Sequence, residues 1–185
     1  MFVYDLGGGA ALGPLEPWHA EQFLAAVDGD RTHIKQLAFA YHVRTVDESR
    51  TFLQRFADAH ASDARHLAGL WHGDRLIGIV GFPEFSVAMR RCEIGVWICA
   101  DFEGRGLIKR AAWHALDWAF RERGMARVQW TNLLDNERSR AVAKRLGFTL
   151  EGVLRKNFVP VPGGPSHDAE VWSITADDWR ALNHV

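Results

Sequence analysis

Two glycines one residue apart, Gly104 and Gly106, stand directly after an apolar run, "RRCEIGVWIC" (residues 90–99), and directly before a strongly amphipathic stretch. A chain that passes from strand through Gly-x-Gly into helix must turn tightly. The helix it enters presents four backbone N–H groups with no internal partner and about half a positive charge from its aligned peptide dipoles. In "EGRGLIKR" the glycines let the amides of Gly104, Arg105, Gly106, Leu107 and Ile108 converge on one point, while the Arg105 and Lys109 side chains add positive charge. The spacing fits a phosphate or a diphosphate. A tight strand-to-helix turn also uses glycine for steric reasons alone, and Asp101 and Glu103 would repel an anion unless they point outward. Two nucleotide motifs are excluded: Leu107 follows Gly106 where a P-loop needs lysine, and Lys109 stands where the dinucleotide motif has its third glycine.

The flanking periods place this loop in a mixed fold. Ile108, Ala112, Ala115, Leu116, Ala119 and Phe120 form a helical stripe, with Lys109, Arg110, Asp117 and Arg121 facing away and Gly124 as a terminator. "HLAGLWHGDRLIGIVGF" reads as a β-hairpin turning at residues 72–75, and "ARVQWTNLL" as a further strand. "DNERSRAVAKRLG" is a short helix capped by Asp135 or Asn136 and closed by Gly147. Strands at 148–159 and 168–175 flank "PVPGGPSH", and a last helical piece begins at Ala176. Upstream, helical signals start at Pro17 and continue in pieces at 32–40 and 47–61, with Phe52, Leu53 and Phe56 on one face. Strands enclosing helices predict an α/β or α+β chain. Residues 1–185 read as one domain, with the glycine-rich segment 1–11 as a flexible entry.

Charge narrows the partners. Twenty-two basic against twenty-three acidic side chains give a formal charge of -1, which supplies no global field for nucleic acid or a membrane surface. No uncharged apolar run reaches the roughly 18 residues of a membrane span, and the N-terminus lacks a signal-peptide pattern, so a cytoplasmic protein is expected. Cys92 and Cys99, on one strand, cannot close a disulfide and are expected as buried thiols. The nine histidines include no H-x₃-H pair near an acid, so no metal is expected.

Taken in order, "EIGVWICADFEGRGLIKRA", "TNLLDNERSRAVAKRLGFTLEGVLR" and "HDAEVWSI" resemble the GNAT acetyltransferase superfamily, and within it the RimJ/RimL branch of ribosomal-protein N-terminal acetyltransferases. The likeness runs over about residues 12–175, with the specific motifs at 93–108 and 132–152. Gly104 and Gly106 match the Gln/Arg-x-x-Gly-x-Gly/Ala loop, while Asp101 stands where that pattern has Gln or Arg. The resemblance implies a mixed, mostly antiparallel sheet in which the strand carrying Gly95 to Cys99 splays from the strand beginning near Ala126. Acetyl-CoA, a co-substrate, would lie in that cleft with its diphosphate on the Gly104–Ile108 amides and its pantetheine arm along the 95–99 edge. Asn132 and Asn136 would contact the coenzyme. The acceptor would be an amine, such as the N-terminus of a ribosomal or other protein; a homodimer stays open.

Acetyl transfer to an amine needs a neutral amine, a polarised thioester carbonyl, and a proton for the departing thiolate. Backbone N–H groups around Trp97 and Ile98 are the expected oxyanion donors. Many superfamily members protonate the thiolate from a tyrosine, but that position is Ala143 here. Ser139 shares the inward helix face with Val142, Ala143 and Leu146, and RimL-like relatives place a serine there as thiol partner; the alternative is a serine that only satisfies a helix amide. Glu93, on one strand face with Gly95 and Trp97, is the expected base, against a merely solvated carboxylate; Asp168 or His167 is second. Phe158 occupies the position of a relative's acid. A free α-amine with a pKa of about 7.7–8.0 is roughly one quarter neutral near pH 7.4, whereas a lysine is about one part in a thousand neutral. A sparse site therefore suits an N-terminal acceptor. The competing readings are a small-molecule N-acetyltransferase and a CoA-binding sensor without turnover.

Overall fold

The computed structural model describes residues 3–34 and 36–183. Among them, strands β1 (Tyr4–Gly7), β2 (Ala10–Pro14), β3 (His66–His72), β4 (Arg75–Ser86), β5 (Arg91–Ile98), β6 (Arg127–Leu133), β7 (Thr149–Phe158) and β8 (His167–Thr175) form one sheet. Their order is β1-β2-β3-β4-β5-β6-β8-β7. Helices α1 (Ala20–Asp30), α2 (Phe39–His42) and α3 (Val46–Ala61) precede β3; α4 (Leu107–Asp117) joins β5 to β6; α5 (Glu137–Arg145) and α6 (Ala176–Asn183) follow. This is the expected mixed, mostly antiparallel α/β architecture.

Only β5 and β6 run parallel, and a parallel pair needs a crossover, which α4 supplies. The pairing covers Arg91↔Arg127, Cys92↔Val128 and Glu93↔Gln129, then stops. Each strand continues with its outer partner: β5 stays with β4 to Gly78↔Ile98, and β6 with β8 to Leu133↔Ala169. The sheet thus opens along its middle, as the resemblance implied.

The wall on the β5 side is held by aromatic packing and one buried carboxylate. Phe23 of α1 and Phe39 of α2 pack against the Trp97 ring at centroid distances of 6.4 and 5.8 Å, and Phe52 of α3 stacks on Phe23 at 5.2 Å. Asp30, the last residue of α1, accepts from the Trp97 indole at 2.8 Å and from the Ala100 amide at 3.0 Å. It therefore fixes both the end of β5 and the start of the loop beyond it. On the far side, α4 widens into a π-helical turn over Trp118–Glu122, with Trp113 and Phe120 packed on Trp179 of α6.

Two expectations are corrected. The segment 1–11 is not a loose entry: from Tyr4 it forms the β1–β2 hairpin, with Leu6 and Ala10 buried and β2 paired to β3. Gly7, Gly8 and Gly9 all take positive φ, so the glycines serve the tight turn rather than mobility. Met1 and Phe2 lie outside the described residues. The helical piece expected at 32–40 shrinks to Phe39–His42. The Arg31 guanidinium donates to the carbonyls of Ala40 (2.6 Å) and Val43 (2.5 Å), gathering the chain into turns over 31–34, and Lys35 lies outside the described residues.

Replacing Asp30 by Ala leaves the buried Trp97 indole and the part-buried Ala100 amide without their acceptor. The expected loss is about 2–4 kcal/mol of unfolding free energy, about 1–3 kcal/mol for the buried indole and less for the amide that water can reach, read by urea denaturation.

Candidate active site

The parting of β5 and β6 leaves a cleft of about 470 Å³. Ile94 to Ile98 line one wall, Trp130 to Leu133 the other, with α5 and the 104–108 loop at the mouth. The alternation of β5 decides which of its amides are free. The Cys99 amide donates to the Ile77 carbonyl at 2.8 Å, so by period two Trp97 and Gly95 also turn their backbone groups to β4. Those of Ile98 and Val96 face the cleft. Of the two residues expected to give oxyanion donors, Ile98 fits; Trp97 does not, because its amide lies within the ladder and its indole is held by Asp30.

At the mouth, Gly106 is the N-cap of α4 with φ +71, and no side chain caps it. The first closed helical bond is from the Arg110 amide to the Gly106 carbonyl at 3.1 Å. Ahead of it, the amides of Leu107, Ile108 and Lys109 meet no protein acceptor among the described residues. A Cβ on Gly106 would be strained at that φ and would press to 3.2 Å on the Arg110 guanidinium; Gly104 also takes positive φ, +75. This uncapped terminus fits a diphosphate.

The carboxylates that opposed an anion are neutralised: Asp101 pairs with Arg75 at 2.9 Å, and Glu103 with Arg138 and His33. Arg105, expected to add charge, is turned away. Its guanidinium donates to the Asp101 carbonyl at 2.9 Å and lies 4.6 Å over the Phe102 ring, so it does not line the cleft. Lys109, Arg138 and Arg145 line it instead.

On the β6 side, Asn136 caps α5, its Oδ1 accepting from the Ser139 amide at 3.2 Å. The cap is therefore Asn136, and the Ser139 hydroxyl is not needed for it. Ser139 Oγ lines the cleft and accepts from the Trp130 indole at 2.8 Å. An indole N–H is donor only, so it occupies a lone pair of the hydroxyl and leaves the hydroxyl proton to be donated elsewhere. Sequence reasoning missed Trp130, whose only signal was its place on the inward side of a strand facing the helix of Ser139. Asn132 also lines the cleft; its amide nitrogen donates to the Leu133 carbonyl at 2.9 Å and to buried Glu170 at 3.0 Å. Burial pushes the Glu170 carboxyl up, but Arg140, Asn132 and Trp172 more than offset it and hold it below the usual range.

Glu93 lies at the last β5–β6 pair, where the strands part, and does not line the cleft itself. Burial pushes its carboxyl up, and neighbouring Glu84 adds to this against partial relief from Thr131 and Gln129. Asp168 and His167 are not brought to the cleft: Asp168 accepts from the Lys156 amide at 2.9 Å, and His167 pairs with Phe158. Burial raises the thiols of Cys92 and Cys99 to about 12, so neither is a ready nucleophile.

A sheet split at a parallel pair, with an uncapped helix terminus at one end and free strand amides along the gap, is built to lay an extended, phosphate-bearing thioester beside a strand. Residues 11–149 match the family model described as an acetyltransferase (GNAT) domain, and the chain belongs to that family. It is an acetyl-CoA-dependent N-acetyltransferase, similar in sequence to the putative ribosomal N-acetyltransferase YdaF of Bacillus subtilis (strain 168), with 29% identity over 97% of this chain and 98% of that protein. Its fold is similar to that of the microcin C7 self-immunity acetyltransferase MccE, in complex with acetyl-CoA and AMP (TM-score 0.82, 25% identity, 92% of this chain and 94% of that one). It is also similar to that of the ribosomal L7/L12 α-N-protein acetyltransferase RimL, in complex with coenzyme A (TM-score 0.88, 20% identity, 96% and 99% covered). No helix among the described residues is long and apolar enough to cross a membrane.

Trp130→Phe keeps an aromatic ring and removes the indole donor to Ser139. A lost hydrogen bond of about 0.5–1.5 kcal/mol corresponds to a roughly two- to tenfold fall in kcat, measured by release of free thiol, with little change in acetyl-CoA affinity.

Proposed function

We propose that this chain acetylates the α-amine at a protein N-terminus, a ribosomal protein being the first candidate, in the cytoplasm and by direct attack in a ternary complex. The observation that carries the reading is the Ser139 hydroxyl, held by the Trp130 indole with its proton free, in a cleft whose mouth is an uncapped helix terminus. Kinship in sequence with a protein named for ribosomal N-acetylation supports the acceptor class.

In this reading the Gly104, Gly106, Leu107 and Ile108 amides hold the diphosphate, the Val96 and Ile98 edge pairs with the pantetheine arm, and Asn132 and Asn136 flank it. The neutral amine attacks the thioester carbonyl carbon, and the Ile98 amide stabilises the charge that develops on its oxygen. As the C–S bond breaks, Ser139 gives its proton to the thiolate sulfur. The amine's surplus proton leaves through water toward Glu93, and an equivalent proton restores Ser139. Glu93 lies outside the cleft lining, so a water relay rather than direct contact is its role. An α-amine already partly neutral at physiological pH needs no stronger base.

A second reading, a small-molecule amine acceptor, is favoured by the likeness to the AMP-bound MccE fold and by exposed Glu84 beside Glu93, which would attract a cation. An acceptor panel of N-terminal peptides, ribosomal proteins, polyamines and aminoglycosides decides between them; turnover confined to the last two groups would overturn the α-amine reading.

Ser139→Ala is expected to lower kcat by about 10²-fold with acetyl-CoA affinity kept, and an unchanged rate removes the assigned role. A carboxylate base works only when ionised, so kcat/KM should fall as pH drops through the raised Glu93 pKa. Glu93→Gln should lower the plateau and remove that acidic limb, leaving only the titration of the acceptor amine.

A further inference from the structure

A three-residue bridge crosses the mouth of the cleft. Its ends belong to different lips: Glu103 immediately precedes the glycine bend that follows β5, and Arg138 is the second residue of α5, which follows β6. Between them sits His33, in the turn after α1. Arg138 Nη1 donates to Glu103 Oε1 at 3.1 Å, and its Nη2 donates to the His33 carbonyl at 3.2 Å. His33 Nε2 lies 2.9 Å from the same Glu103 oxygen, and Arg138 Nη1 lies against the imidazole, 2.7 Å from its Nδ1 and 2.6 Å from its Nε2.

All three residues line the cleft. The His33, Glu103 and Arg138 side chains keep 20%, 40% and 50% of their exposure, so the bridge belongs to the rim and its links are individually weak and exchangeable. Glu103 is thus an anion already seated on a guanidinium, next to backbone amides that have no acceptor.

We propose that Glu103 is an internal stand-in for the coenzyme's phosphates: it latches Arg138 and the 31–34 turn across the cleft in the coenzyme-free protein, and an arriving diphosphate takes Arg138 from it. The proposal rests on the coenzyme reading of the 104–108 amides. Arg138 reaches Glu103 through one nitrogen only, at 3.1 Å, whereas a diphosphate carries more charge and can take the guanidinium in a bidentate manner. A diphosphate on the neighbouring amides would also repel Glu103. Breaking the Glu103 link releases the His33 side chain, while the turn that carries it stays held by the Asp30 carbonyl and by buried Ile34.

The test is calorimetric titration of the full chain with coenzyme A, using wild type, Glu103→Gln, Arg138→Met and the double variant. Glu103→Gln should bind roughly two- to fivefold more tightly than wild type, the scale of an exposed ion pair, and Arg138→Met more weakly. In the Arg138→Met background the gain from Glu103→Gln should be largely lost, because there is no guanidinium left to release. If Glu103 only repels the diphosphate, the gain is equal in both backgrounds, and that result, or no gain in either, overturns the latch. Failure of wild type and every variant to bind coenzyme A overturns the coenzyme reading itself, and the latch with it.

Discussion

Three residue pairs hold β5 to β6, and the chemistry of this molecule follows from their stopping at Glu93 and Gln129. Backbone N–H and C=O groups in a sheet interior are ordinarily paired, because leaving them unpaired away from water is costly. Beyond the third pair both strands are held on their outer edges only, so the inner edges carry a row of unanswered donors and acceptors facing each other across a gap. An extended molecule with amide groups of its own completes such an edge in the way a further strand would. The crossover helix that a parallel pair requires brings its N-terminus to the end of the same gap, so the strand edge and the anion site arise from one topological event.

A gap in the middle of a sheet must be braced from outside, and buried polar groups do this on both walls. Asp30 ties Trp97 and Ala100 to α1. On the other side, Arg140 donates to Glu170, and Glu170 accepts from Asn132 and Trp172, joining α5, β8 and β6. Hydrogen bonds are directional where apolar contacts are not, so they fix the spacing of two walls that do not touch. The same direction sense operates at Ser139: Asn136 takes care of its amide, Trp130 holds its oxygen, and what is left is a single proton with one place to go.

Much of this was legible along the chain. The Gly-x-Gly turn, the helical stripe after it and the Asn136 cap are local patterns, governed by backbone sterics and helix-end hydrogen bonding within a few residues, and the structure shows each of them. Local reasoning failed where a distant partner decided the outcome. Residues 32–40 have helical spacing, yet Arg31 draws the carbonyls of Ala40 and Val43 into turns. The N-terminal glycines look like slack, yet β3 offers an edge that makes β1 and β2 a hairpin. Arg105 is adjacent to the anion site in sequence but stacks on Phe102.

The sequence by itself determined the order and kind of the elements from β3 onward, the positive-φ bend that opens α4 and the serine on the inward face of α5, because each depends on dihedral preference and periodicity within one segment. Only the tertiary structure decided which strand amides face the gap, that an indole on β6 holds the Ser139 hydroxyl, that Glu93 stands at the parting of the strands and not within the cleft, and that Glu103 reaches Arg138. Those are relations between residues on different elements, as far as 36 positions apart. Their geometry is set by how the sheet closes and where it opens, which no window along the chain contains.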